Sequence, residues 1–136
     1  MLTAIDTSVL MDVISADPVH ADSSERALRQ ATQQGGLVVG ECVIAEISPS
    51  LTQKEMPEFL KDWKLQFVPS SLPSALLAGE MFSLHLKRGG ARRRILADFL
   101  IGAHAQIHAQ RLLVRDRGYL RDYFKHLKIW DPSASP

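Results

Sequence analysis

The strongest constraint on this chain is a set of apolar runs too short to be anything but buried strands. LTAI (residues 2–5), LVV (37–39) and LLV (112–114) hold three or four residues each, and KIW (128–130) follows near the end. Segments with helical spacing separate them. Parallel neighbours need long crossovers, usually helical, and their strands are buried on both faces. The expected architecture is therefore α/β, a central and mainly parallel sheet flanked by helices in three layers.

The first run ends at Asp6-Thr7-Ser8, where Thr7 or Ser8 is the expected helix cap, and VLMDVI continues with helical spacing. Asp17-Pro18 is expected to open a second helix that reaches Gln34 and stops at Gly35-Gly36. After LVV, ECVIAEI reads as a short helix halted by Pro49. Further helices are expected at 53–65, at 73–87 after the linker QFVP, from ILADFLIGAHA (95–105) onward, and around 119–124. Residues 1–131 then make one domain, with 132–136 as a short tail.

With 46% hydrophobic and 23% charged residues in 136, the chain has the composition of an ordinary globular protein, which excludes disordered and fibrous classes. The opening MLTAIDTSVL has no basic stretch and its apolar run is broken by Asp6, so no secretory signal is expected. No segment reaches the roughly 18 uncharged apolar residues of a membrane span, and a cytoplasmic location is expected. The single cysteine, Cys42, reads as a small packing residue. Charge is uneven. Residues 1–86 hold five basic and eleven acidic residues, residues 87–136 eleven and four, so the two parts carry −6 and +7. A polyanion partner would produce that asymmetry, and so would solvated faces that neutralise each other on folding.

Four acids share an unusual setting, in or just after apolar segments: Asp6 in LTAID, Glu46 in VIAEI, Asp98 in ILADFLIGAHA and Asp116 in LLVRD. Each has an ordinary reading taken alone. Asp6 would end a strand, Glu46 face solvent, Asp98 cap a helix and Asp116 open a turn. Ligand sites in open parallel sheets lie beyond the carboxyl ends of the strands, however, and Asp6 and Asp116 both follow strands there.

With these residues in view, the sequence resembles the PIN-domain nucleases and, within them, the VapC-type toxins of bacterial toxin–antitoxin pairs. IDTSVLMD (5–12), Ala45-Glu46, DFLIGAHA (98–105) and RDRGYLRDYF (115–124), followed by the terminal strand and Asp131-Pro132, carry the resemblance over nearly the whole chain. Ala97 stands where relatives often have proline and Arg115 where many have another residue, but neither departure removes a carboxylate. The resemblance implies that Asp6, Glu46, Asp98 and Asp116 hold divalent metal and support RNA cleavage, with Ser8 beside the site. It also implies a VapB-type antitoxin and a homodimer.

Physical chemistry supports the metal. Two like charges 4 Å apart repel by about 4 kcal/mol at the effective dielectric of a protein surface, so converging carboxylates need a shared proton or a cation between them. Ligands that are all oxygen point to Mg²⁺ or Mn²⁺. The loop KRGGARRR (87–94) puts five cations directly ahead of Asp98. Arg92, Arg93 and Arg94, with Arg115 and Arg117 beside the last acid, are the expected RNA contacts. His104 and His108 lack the pattern of a zinc helix and are expected to pack or to lie at the surface, while Glu41 and Asp12 are acids suited to an outer shell. Two other functions stay open at this point. One is a non-catalytic, metal- or RNA-binding regulatory PIN module. The other is a phosphotransfer domain, which would want a second acid next to Asp6 and a later lysine that this sequence does not supply.

Overall fold

The structure, a computed structural model, describes residues 1–90, 95–115, 118 and 120–133. Its elements run β1 (Thr3–Ile5), α1 (Thr7–Ile14), α2 (Ala21–Gln34), β2 (Leu37–Val39), α3 (Glu41–Ile47), a 3₁₀ turn (Ser48–Ser50), α4 (Glu55–Asp62), β3 (Leu65–Phe67), α5 (Leu72–Lys87), α6 (Ile95–His108), β4 (Arg111–Leu113), α7 (Leu120–Tyr123) and β5 (Lys128–Trp130). All five strands pair in parallel in the order β3-β2-β1-β4-β5. The expected α/β fold with a central parallel sheet is what forms.

Strand order explains where a site can form. The chain moves outward from β1 to β2 and β3, then crosses back to β4 on the other side of β1 and moves outward again to β5. Right-handed crossovers send helices to opposite faces when the direction reverses, which leaves a crevice at the carboxyl ends of β1 and β4. Ile5 pairs with Leu113 in that register, and the Asp6 amide extends the ladder by donating to the Leu113 carbonyl at 2.9 Å. Asp6 therefore emerges at the reversal point.

Apolar content forces these short strands to the centre. Ala4, Ile5, Leu37, Val38, Val39, Leu112 and Leu113 are at most 2% exposed, and Val9, Leu10, Leu28, Ile47, Phe99 and Phe124 close over them. The helix α6 is buried on most of its circumference from Phe99 to Ala105. Gly102 makes that fit possible, since a Cβ there would meet the Phe124 ring at 2.6 Å.

Several local expectations need correction. The cap of α1 is Asp6, not Thr7 or Ser8: its side chain accepts from the Ser8 amide while its backbone stays extended. The second helix starts at Ala21, because the Asp17 carboxylate accepts from the amides of Val19 and His20 and folds residues 17–20 into a separate turn. Part of the expected linker QFVP belongs to an additional edge strand, β3, which the expected helix at 53–65 overran. Asp98 is not a cap but lies within the first turn of α6. No helix among the described residues is long and apolar enough to cross a membrane.

Candidate functional site

Asp6 is placed by two elements at once. Strand β1 ends before it and α1 begins after it, so its half-buried carboxylate sits where the backbone changes direction. Oδ2 accepts from the Ser8 amide at 2.9 Å and from the Ser8 hydroxyl at 2.6 Å. The same hydroxyl accepts from the Arg115 amide at 3.2 Å, which ties the start of α1 to the end of β4. Ser8 thus lies directly against Asp6.

Glu46 reaches the same neighbourhood from α3. Its Oε1 accepts from the Thr7 hydroxyl at 2.7 Å, although the side chain is exposed and 39 residues further along the chain. Helix α3 packs on α1 and on α6, and α6 packs on β1, so the elements carrying Asp6, Glu46 and Asp98 adjoin one another. Asp98 is half-buried in the first turn of α6, where a negative charge favours the helix dipole. Neither Asp6 nor Glu46 is paired with a basic side chain among the described residues.

The expected set is not closed by these residues. Asp116, Arg92, Arg93, Arg94 and Arg117 lie outside the described residues. Among the described residues, no three His, Cys, Asp or Glu side chains gather into a group of metal-binding size. What fits a hard cation is the donor chemistry: carboxylate oxygens held by neutral hydroxyl and amide donors, without an internal counter-ion among the described residues at Asp6 or Glu46.

A family model described as PIN domain matches residues 3–125. The chain belongs to the PIN domain family. No curated protein matches it in sequence. Solved structures share its fold at low identity. VapBC2 from Rickettsia felis, bound to a DNA fragment from its promoter, is 19% identical, with a TM-score of 0.75 over 96% of this chain and 98% of that one. DNA-bound VapBC from Salmonella typhimurium is 15% identical, with a TM-score of 0.70 over 97% and 99%. VapBC-1 from nontypeable Haemophilus influenzae is 17% identical, also at 0.70, over 98% and 100%.

Around the acidic edge, this PIN domain spends its other polar residues on structure. Asp12, only 2% exposed, accepts from the Ser24 hydroxyl at 2.7 Å and from Arg115 Nε and Nη2 at 2.9 and 3.0 Å. Arg115 was expected at RNA, yet its planar fork is committed to this buried carboxylate. An arginine beside an acid offers no sequence signal that separates the two uses. Glu41 accepts from the Ser70 amide at 2.8 Å. Burial pushes its carboxyl up, but the Ser70 bonds, its own amide and nearby His104 outweigh that and leave it below the ordinary value.

His104 is 4% exposed, with Nε2 at 2.5 Å from the Val68 carbonyl. Burial is the largest influence on it and holds its pKa below the ordinary 6.5, helped by His108 and opposed by the Val68 bond and Glu41. A Cβ on Gly40 would meet this imidazole at 3.1 Å, so the glycine makes room for it. His108 Nε2 lies 3.1 Å from the Ser71 hydroxyl. Both histidines pack, as expected. The Cys42 thiol is pushed up by burial, then by Glu41 and Glu46, and is unsuited to act as a nucleophile.

Proposed function

We propose that this PIN domain is a metal-dependent endoribonuclease and the toxin of a toxin–antitoxin pair. The observation that carries the reading is Asp6: a carboxylate fixed at the reversal point of a parallel sheet, satisfied by Ser8 and with no cation beside it among the described residues. Asp6, Glu46, Asp98 and Asp116 would hold Mg²⁺ or Mn²⁺. A bound ion of that kind supplies Lewis-acid charge for phosphodiester hydrolysis.

The chain's own residues do the rest. Ser8 donates to one oxygen of Asp6 and leaves Oδ1 of that carboxylate for a further partner. Thr7 holds Glu46 through Oε1, which fixes a side chain that would otherwise be free in solvent. Any of the four acids can orient a water or take its proton. Arg92, Arg93, Arg94 and Arg117 are assigned to substrate phosphates. Arg115 is assigned there only for donors not used by Asp12. Likeness in fold to VapBC complexes supports a VapB-type antitoxin as partner. A homodimer and a cytoplasmic setting are further parts of the proposal.

The test is RNA cleavage by the purified protein with Mg²⁺ or a chelator, beside Asp6→Asn. Products that need metal and vanish in the variant support the enzyme. RNA or metal binding without turnover would instead favour the regulatory module.

A further inference from the structure

We infer that Asp12 and Arg115 are positioning residues for the Asp6 carboxylate, acting on it through Ser8; the inference rests on the metal-site reading above. One bonded path joins them. The Ser24 hydroxyl donates to Asp12 Oδ2 at 2.7 Å, and Arg115 Nε and Nη2 donate to the two Asp12 oxygens at 2.9 and 3.0 Å. The Arg115 amide donates to Ser8 Oγ at 3.2 Å, and Ser8 Oγ donates to Asp6 Oδ2 at 2.6 Å. Helices α2 and α1 and the second residue after β4 are thereby locked to a single carboxylate.

Stability alone is a poor reason for this arrangement. The Asp12 side chain is 3% exposed and that of Arg115 32%. Desolvating such a pair costs about as much as its attraction returns, so apolar residues would serve a purely structural purpose as well. What the pair does provide is geometry, because a two-point contact fixes both the place and the plane of the guanidinium. The Arg115 backbone is carried with it. Ser8 has one hydroxyl proton, which goes to Asp6 while an oxygen lone pair receives the Arg115 amide. If that amide withdraws, the hydroxyl loses the contact that aims it.

The experiment uses the full chain, folded and held well below its melting temperature, as parent, Asp12→Asn, Arg115→Lys, Ser8→Ala and the Asp12→Asn/Ser8→Ala double variant. Amide hydrogen exchange at Ser8 and Arg115 is read by NMR, and Mn²⁺ affinity by electron paramagnetic resonance. Asp12→Asn and Arg115→Lys should each speed exchange at both amides and weaken Mn²⁺ binding about tenfold, the low end for residues behind a ligand. Lysine keeps the charge but loses the fork, so it supplies a second arm if Asp12→Asn does not fold. The double variant should bind Mn²⁺ no more weakly than Ser8→Ala, because both changes cut one path. Glu25→Ala, which breaks the exposed Arg29–Glu25 pair, should alter neither readout.

Unchanged exchange at Ser8 and Arg115 in the folded variants would overturn the inference. Faster exchange with unaltered Mn²⁺ affinity would overturn it too, because the pair would then order the chain without acting on the site. A parent that binds no Mn²⁺ refutes the metal reading and the inference falls with it, whereas a parent that binds Mn²⁺ beside folded variants that bind it equally well refutes the inference alone.

Discussion

Asp6 and Asp12 belong to the same short segment, one capping α1 and the other inside it, yet their charges are handled in opposite ways. Asp12 is buried, holds a two-point bond to Arg115 and takes a third hydrogen bond from Ser24. Asp6 is half-exposed and, among the described residues, is met by the amide and hydroxyl of Ser8 and by no cation. The difference separates structure from chemistry. A carboxylate neutralised inside the fold has finished its electrostatic work, whereas one oriented but not neutralised keeps the capacity to bind a cation from outside.

The largest expected effect comes from removing the charge of Asp6 without removing its cap. Asparagine caps a helix about as well as aspartate, so Asp6→Asn should keep the Ser8 bond and melt within about 0.5 kcal/mol of the parent. RNA cleavage in Mg²⁺ should nevertheless fall about a thousandfold, which is ~4 kcal/mol of barrier. Paired melting curves and cleavage rates check this. A variant that lost stability and activity together would mean that Asp6 is a cap and nothing more.

Asp12 should behave the other way. Truncation to alanine strands Arg115 beside a desolvated pocket and is expected to cost about 3 kcal/mol in urea unfolding, the lower end for a broken buried pair because Arg115 is partly solvated. A loss below about 0.5 kcal/mol would place Asp12 with ordinary surface acids and erase the contrast.

Metal should then stabilise the fold through the carboxylate that the protein leaves without a cation, Asp6. A ligand that binds the native state at a hundred times its dissociation constant adds about 2.7 kcal/mol. Titrating Mn²⁺ into the parent should raise the urea midpoint accordingly, and Asp6→Asn should abolish most of the gain. Equal stabilisation of both proteins would show that the ion binds elsewhere.

Much of this contrast was legible before folding, and the exceptions are instructive. LTAI and LVV had to be buried parallel strands because three apolar residues between helices have few other ways to leave water, and ECVIAEI fell within the bounds of α3. LQF was missed because two of its three residues are exposed at the sheet edge, so the apolar signal that marks the central strands is absent. The cap was misassigned because Asp6, Thr7 and Ser8 are all good capping residues, and the choice depends on where β1 releases the backbone. Asp6 could be singled out from its setting. The Asp12–Arg115 pair could not, since the partners are 103 positions apart and each looks ordinary in its own segment.

The smallest effect lies on pH and involves a residue outside the carboxylate contrast, which makes it a useful control. His104 is held neutral by burial, with its folded pKa below the ordinary 6.5. Below about pH 6.5 the unfolded chain therefore takes up a proton more readily than the native one, and stability falls as pH drops through that range. Glu41 acts lower: its folded value lies beneath the ordinary 4.5, so its contribution is fully present above that pH and is lost only as pH falls further. Between pH 7.5 and 5.5 the decline should carry a His104 component that Glu41 does not share. His104→Gln, which can still donate to the Val68 carbonyl, should flatten the change in urea midpoint over that interval while leaving Asp6-dependent Mn²⁺ stabilisation in place. An equally steep decline in the variant would remove His104 as its source.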